Sequence, residues 1–471
     1  MIFPLCFSIY YHSSDSISLL LSIGITLGAG LIFTFLFHSN QPLKAREAFL
    51  VVSLGWLFAS CFGALPFYFH GTFGSYIDCV FEAMSGFTTT GATILTNIEI
   101  QPKGLLFWRS LTHWLGGMGI ILLTIAILPI LGFTSGQLFN AEVPGPTKDR
   151  ISPKIKDTAK ILWIIYSGMT VLETLLLLLG GMSLYESLCH TFGTLATGGF
   201  STLNASIAGY NNLYIEIIII IFMYLAGINF SLHYYLIKGN FKDFFQNKEW
   251  RFYTFILIAA IAIISIDLTF QKQAGTIETP LSFTRFFNAL RQSSFQVVSI
   301  TTTTGFCTAD FNLWPSFSKL LLIMLMFFGG CSGSTGGGMK QIRILITFKH
   351  AYGEIKKLFN HRTIFSLKIG KDPIHQSVVS NVTAFFFLFV LLFLFTTLFL
   401  SMRGYDIITS FSASIATLGN IGPGLAKVGA IENYSFFDPV SKIILIFSML
   451  LGRLEIYSVL ILFYSLFHQN K

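Results

Sequence analysis

Charge is what this chain has least of. Only 11% of its 471 residues are Asp, Glu, Lys or Arg, under half of the roughly 25% that soluble domains carry. A soluble fold of this length divides into two or three domains, and this composition cannot give each one a charged surface. An ordinary cytosolic enzyme, a nucleic-acid binder and a disordered scaffold are thereby excluded. Cysteine is sparse as well. The six thiols (Cys6, Cys61, Cys79, Cys189, Cys307 and Cys331) form no CxxC pair and keep no regular spacing, so small buried side chains fit better than a disulfide framework or zinc site. The first eleven residues lack the charged start and cleavage site of a signal peptide. They are apolar but too short to cross a bilayer, and read as the stub of a further helix. No cluster of His, Asp or Glu points to catalysis; the chain does not read as an enzyme.

What is present is apolar: 53% hydrophobic residues, including 51 Phe, together with 41 Gly. A bilayer core about 30 Å thick needs roughly 20 apolar residues per helix. Nine stretches qualify: Ser16–Phe37, Ala45–Phe69, Phe107–Leu131, Ala159–Met182, Tyr214–Ile237, Trp250–Leu268, Phe317–His350, Val382–Met402 and Ser441–Phe467. Lys44 and Arg46, then Lys148 to Lys160, Lys238 to Arg251 and eight Lys and Arg between Lys340 and Lys371 all fall in loops on one side. By the positive-inside rule that side is the cytoplasm. The net charge of +8 is therefore a matter of topology, with no nucleic-acid partner implied. The chain reads as a multi-pass protein of the cell (inner) membrane.

The opposite loops share a pattern. Each holds a stretch too short to span, ending in Thr and Gly: Phe87-Thr88-Thr89-Thr90-Gly91, Leu195-Ala196-Thr197-Gly198-Gly199, Thr301-Thr302-Thr303-Thr304-Gly305 and Ala416-Thr417-Leu418-Gly419-Asn420. Taking Gly91, Gly198, Gly305 and Gly419 as equivalents, the spacings are 107, 107 and 114 residues, an internal fourfold repeat. Two spans and one re-entrant segment per unit give all four units the same orientation, so they can close around a pseudo-fourfold axis. Non-helical backbone at membrane depth is tolerated where it is buried or lines a watery cavity, and glycine lets successive carbonyls turn towards one axis. Stacked carbonyl rings replace the hydration shell of a bare cation. The expected ion ligands are main-chain oxygens of Thr89, Thr90 and Gly91; Ala196, Thr197 and Gly198; Thr303, Thr304 and Gly305; and Thr417, Leu418 and Gly419. Ala196 and Leu418 stand where other units have Thr, so side-chain hydroxyls are not required in every unit.

The seventh stretch carries Gly329, Gly330, Gly333, Gly336, Gly337 and Gly338, with Ser332, Ser334 and Thr335 between them. Six glycines in ten residues, at about 1 kcal/mol each, break a helix. Neither GxxxxGK[ST] nor GxGxxG is present, so no nucleotide loop is implied. A plug below the carbonyl rings is the preferred role, and a kink without gating is the alternative. Intramembrane charges demand an explanation. Arg453 in the last stretch fits two roles equally: a positive barrier that holds the glycine loop through its carbonyls, or a helix staple paired with Glu455 or a carbonyl. Glu82 is expected to open the first short helix, where a carboxylate suits the positive end. His113 and His233 read as hydrogen-bonded packing residues, and no role is expected for Glu173 or Asp267.

Taken together, Ser85–Ala92, His113–Gly119, Ala196–Ser201, the Gly329–Lys340 run and Gly452–Glu455 resemble the TrkH/KtrB/HKT superfamily of potassium transporters, in its bacterial TrkH branch. The resemblance runs from about Ser16 to the end. It implies four membrane helix–pore loop–membrane helix units after an extra N-terminal helix. It also implies a homodimer, one filter glycine per unit, and a gate made of the mid-membrane loop and Arg453. Potassium is then the transported ion, with no cofactor in the chain, and a cytosolic nucleotide-binding TrkA-type ring is the regulatory partner. Gly91, where sodium-selective plant relatives carry Ser, implies potassium selectivity. The fold class expected is all-α and polytopic, divided at 1–40, 41–147, 148–238, 239–350 and 351–471. The competing mechanism, a proton- or sodium-coupled symporter with alternating access, needs mid-depth carboxylates, and the four units offer no convincing set.

Overall fold

Ser16–Leu36 contains no charged residue, and nothing but a helix can satisfy its backbone in lipid. It forms one of five helices, among the described residues of the computed structural model, that are long and apolar enough to cross a membrane. The structure describes residues 1–37, 45–122, 155–270, 283–359, 367–369, 372–374, 376–456 and 459. Among these, the helices in chain order are α1 (Ile2–Tyr10), α2 (Ser16–Leu36), α3 (Ala45–His70), α4 (Tyr76–Phe87), α5 (Lys103–Leu122), α6 (Ile155–Leu179), α7 (Leu184–Leu195), α8 (Leu213–Ala226) and α9 (Phe230–Ile237). There follow α10 (Phe241–Gln246), α11 (Lys248–Phe270), α12 (Phe283–Thr301), α13 (Ser316–Met326), α14 (Gln341–Phe359), α15 (Gln376–Met402), α16 (Ile407–Leu418) and α17 (Pro439–Arg453). Two short strands, Lys368–Ile369 and Asp372–Pro373, pair antiparallel.

The nine expected spans resolve differently. Five are full helices: α2, α3, α6, α11 and α15. The expected Tyr214–Ile237 span is instead α8 and α9, bent by 103°, because Gly227-Ile228-Asn229 interrupts it. The expected Phe317–His350 span is broken at the glycine run into α13 and α14. The far ends of the Phe107–Leu131 and Ser441–Phe467 stretches lie outside the described residues. Met1–Tyr11 forms the nine-residue α1, about 14 Å long at 1.5 Å per residue, which stacks Phe7 on Phe107 with ring centroids 4.2 Å apart.

Four short helices, α4, α7, α12 and α16, run inward between flanking partners. Three are 12 residues long, about 18 Å, and each starts at a capping side chain: Ser75, Ser183 in a full capping box with Glu186, and Asp406. The fourth, α12, has 19 residues but is too polar to count as a span. Within each unit the short helix packs against the helix before it: α3 on α4, α6 on α7, α11 on α12 and α15 on α16. Between units it meets the later helix of the preceding unit: α5 on α7, α8 on α12, α13 on α16, and α17 on α4. The last contact joins the chain's end to its beginning and closes the circle. Lipid tails are as apolar as Leu, so close packing and polar contacts hold such a bundle. At the closing seam Phe81 and Met84 share one core with Leu445, Met449 and Leu450, and Lys442 reaches Asp78 at 2.7 Å. At the seam between the second and third units Arg291 holds Glu216 through two hydrogen bonds of 2.6 and 2.7 Å.

Candidate ion-conduction site

Each short helix ends in the same four-residue turn. In the first unit Thr89 and Thr90 donate their amides to Gly86 and Ser85. Thr197 and Gly198 donate to Thr194 and Gly193, Thr303 and Thr304 to Ile300 and Ser299, and Asn420 and Ile421 to Thr417 and Ala416. The second residue of each turn has a positive φ: 53° at Thr89, 55° at Thr197, 61° at Thr303 and 54° at Asn420. So does the fourth: 78° at Gly91, 78° at Gly199, 83° at Gly305 and 92° at Gly422. A β-branched residue at positive φ is an outlier, costing on the order of 1–3 kcal/mol. Three threonines held this way at matching positions mark a backbone path that the surrounding fold imposes.

The equivalent quartets are thus Thr88–Gly91, Ala196–Gly199, Thr302–Gly305 and Gly419–Gly422. This corrects the register taken from spacing in the second and fourth units. Gly199, not Gly198, matches Gly91, and Gly422, not Gly419, completes the set, at spacings of 108, 106 and 117 residues. Ala196 and Gly419 cap their helices, while Thr417 and Leu418 belong to the helix itself. The register was hidden because the tripeptide Thr-x-Gly occurs at Thr417–Gly419 while the quartet it resembles begins two residues later.

The four positive-φ glycines share a second property. A Cβ on Gly91 would collide with the carbonyl oxygen of Gly198, one on Gly199 with that of Thr304, one on Gly305 with that of Ile421, and one on Gly422 with that of Thr90. Each unit's carbonyl stands against the glycine of the unit before it, around a closed ring. The same four glycines line an open hollow of about 210 Å³ with Glu432 and Asn433. Four hydroxyls near the ring are bonded to one another or to a neighbouring unit: Thr88 with Thr90 and Thr302 with Thr304 at 2.8 Å, and Thr90 with the Asn420 amide at 2.9 Å.

Side chains behind the ring fix its strands. The amide of Phe200 donates to His113 Nε2 at 3.2 Å, so His113 carries its proton on Nδ1 and donates to the Gly86 carbonyl at 2.8 Å. Gly198 has its own reason to lack a side chain, since a Cβ there would run into the His113 ring. Glu82 does not open α4, which starts at Tyr76 with Asp78 in its first turn. It is buried past the helix midpoint, where it takes Arg109 Nε at 2.6 Å and the Thr93 hydroxyl and Ile94 amide at 2.9 Å. Arg109 in turn donates to the Ser201 carbonyl at 3.0 Å, tying two units together. Asp267 accepts from Ser318 at 2.5 Å, and His233 bonds the Leu225 carbonyl at 3.0 Å.

The glycine run is a hairpin lying against the inner ends of these quartets. Its neck is closed by Gly329 N–H to Met339 O at 2.8 Å, Gln341 N–H to Gly330 O at 3.1 Å and the Gln341 side chain to Gly329 O at 2.7 Å. The Gly337 amide donates to Thr303 Oγ1 at 2.7 Å, and the Thr335 hydroxyl to the Leu195 carbonyl at 2.8 Å. Gly336 and Gly337 pack so closely on Thr302 and Gly419 that a Cβ would stand 3.1 and 2.7 Å from those carbonyls. Ser332, Gly333 and Ser334 form the tip nearest the α8–α9 break. There Cys331 N–H reaches Gly227 O at 2.8 Å, and Phe230 N–H reaches Gly333 O at 3.0 Å. The break in the expected fifth span is therefore the seat of the hairpin, and Gly227-Ile228-Asn229 was its only sequence signal. Two cations hold the loop by carbonyls. Arg453 donates to Thr335 O at 2.7 Å and Gly116 O at 3.1 Å, and Lys340 donates to Gly336 O. Glu455 is paired with Arg343, so of the two expected partners for Arg453 it is the carbonyls that it meets.

Comparison with known proteins matches this architecture. The model of the TrkH family, described as a cation transport protein, matches residues 15–471. The chain is 39% identical over 467 residues to the Trk system potassium uptake protein TrkH of Halomonas elongata, covering 98% of this chain and 94% of that protein. It is 41% identical over 424 residues to the protein of the same name from Escherichia coli K12, covering 89% and 86%. The crystal structure of the potassium transporter TrkH from Vibrio parahaemolyticus superimposes with a TM-score of 0.87 at 35% identity, over 99% of this chain and 95% of that one. With its turns, hairpin and fourfold closure, this multi-pass membrane chain belongs to the TrkH family of cation transport proteins.

Proposed function

We propose that this protein takes up potassium across the cell membrane through a pore on the pseudo-fourfold axis, driven by the membrane potential. The observation that carries this reading is the closed ring in which the carbonyls of Thr90, Gly198, Thr304 and Ile421 face Gly422, Gly91, Gly199 and Gly305. Carbonyl rings of this kind stand in for the hydration shell of a bare cation. The ligands are main-chain oxygens of Thr89, Thr90 and Gly91; Thr197, Gly198 and Gly199; Thr303, Thr304 and Gly305; and Asn420, Ile421 and Gly422. Four short helices direct their negative C-terminal ends at the same point, which favours a cation. The names of the relatives, potassium uptake proteins, support the choice of ion.

The glycine hairpin, residues 329–338, is the gate in this reading. It blocks the inner end of the filter while Arg453 and Lys340 add positive charge beneath it. The assembly is a homodimer, and a cytosolic TrkA-type ring docks on the basic loops to regulate it. Rubidium uptake into a transport-deficient cell supplied with such a ring tests the function, and absence of uptake by the parent chain overturns it. Gly91→Ser should lower potassium-over-sodium selectivity; unchanged selectivity removes the filter assignment.

A further inference from the structure

The hairpin is held from below as well as from above. Glu249 stands in the first turn of α11, on the side of the basic loops, following Asn247, whose side chain caps the helix by accepting from the Trp250 amide at 2.9 Å. Its carboxylate is buried, with the residue 5% exposed. One oxygen, Oε1, accepts two backbone amides: Ser332 at 2.6 Å and Ile342 at 3.1 Å. These two donors lie on opposite limbs of the hairpin, one inside the loop and the other just past the neck. A buried carboxylate is costly unless its hydrogen bonds are made, and bonds to a charged acceptor are about twice as strong as neutral ones. A single oxygen thus pins together the two strands that must part if the loop is to leave the axis.

The surrounding chain gives this clamp a direction. Gly227 and Phe230, at the α8–α9 break, bond Cys331 and Gly333, and Glu249 bonds Ser332. Three consecutive residues of the hairpin are therefore held by residues 227–249 of the second-to-third unit connection. That connection consists of α9 and α10, and its outer surface is exposed at Ile237, Phe241 and Phe245. These bonds join the hairpin directly to the α9–α10 connection.

We propose that Glu249 is the positioning residue that latches the gate hairpin and couples it to the α9–α10 connection on the cytoplasmic side. This rests on the gate reading above. The native thiols provide a readout independent of flux. Cys331 lies fully buried in the hairpin, and Cys189 is fully buried in α7, so Cys189 reports general loosening of the bundle. Full-length protein in membranes is treated with a small permeant maleimide, and modification of each cysteine is followed by peptide mass spectrometry, beside rubidium flux in cells. Glu249→Ala should speed Cys331 modification about tenfold or more with Cys189 still protected, and should raise flux. Glu249→Gln, which keeps an acceptor without charge, should give a smaller increase, and Glu249→Asp should restore part of the protection. Protection of Cys331 as in the parent overturns the latch. A parallel rise at Cys331 and Cys189 in both Glu249→Ala and Glu249→Gln also overturns it, making Glu249 a residue of the fold alone. If Cys331 opens while flux stays at the parent level, the latch stands and the gate reading fails.

Discussion

The amide of Gly337 donates to the side-chain oxygen of Thr303 at 2.7 Å, so the hairpin is bonded directly to a residue of the carbonyl-bearing turn. Thr303 is also one of the strained positions, with φ at 61°. The same residue shapes the ring above and receives the loop below.

That bond can be removed with little change of shape. Thr303→Val leaves the Gly337 amide without its acceptor, and an orphaned buried donor costs about 1–3 kcal/mol. The closed position should weaken accordingly, and rubidium flux should rise several-fold. Flux equal to that of the parent would separate Thr303 from gating.

Arg453 and the hairpin should give matching phenotypes. Arg453→Ala removes the bonds to Thr335 and Gly116, and deletion within residues 333–338 shortens the hairpin itself. Each should increase potassium leak in transport-deficient cells. Wild-type flux in Arg453→Ala reduces that residue to a staple between helices.

The corrected register makes a sharp prediction at Gly422. A methyl group there requires a positive φ of 92° and meets the Thr90 carbonyl, so Gly422→Ala should lower uptake at least tenfold. Gly71→Ala is the control, since that glycine also has a positive φ but opens onto empty space. Uptake that survives Gly422→Ala would return the fourth position to Gly419.

Behind the ring, Arg109 and Glu82 form a buried pair at 2.6 Å. Removing one partner strands the other charge, at about 3–5 kcal/mol. Arg109→Met should therefore lower the thermal midpoint of the purified protein, and adding Glu82→Gln should recover part of the loss. A double variant worse than the single one would argue against the pair as the source of the effect.

Acid should act on the outer cap of α17. Burial pushes the Asp438 carboxyl up, but the bonds from Ser441, Arg403 and Tyr405 outweigh it and hold that carboxyl below the usual carboxylate range. A depressed value means that the stabilisation is complete above that range and is lost as pH falls through the folded value. The midpoint difference between the parent and Asp438→Asn should accordingly be full at neutral pH and close only in strong acid. A difference that does not vary with pH would assign the effect to shape alone.

The sequence by itself determined that the chain lives in a membrane, that four short segments end in Thr and Gly at near-equal intervals, that residues 329–338 cannot be helix, and that Arg453 needs a carbonyl or carboxylate. Apart from the repeat, which is a comparison along the whole chain, these are local: apolar length, glycine content and a charge among apolar neighbours are visible in a window of twenty residues. Tertiary structure alone decided the rest. Which of Gly198 and Gly199 is the counterpart of Gly91 depends on which glycine faces a carbonyl of the next unit, and that carbonyl is more than a hundred residues away. Gly422 is identified only when Thr90 is brought against it. The hairpin of another unit is seated at the Gly227–Asn229 bend, and Glu82 and Arg453 found partners that no nearby residue announced. Backbone strain, ring closure and the choice among buried partners are contact properties, and contacts between units are made only when four separate segments meet on one axis.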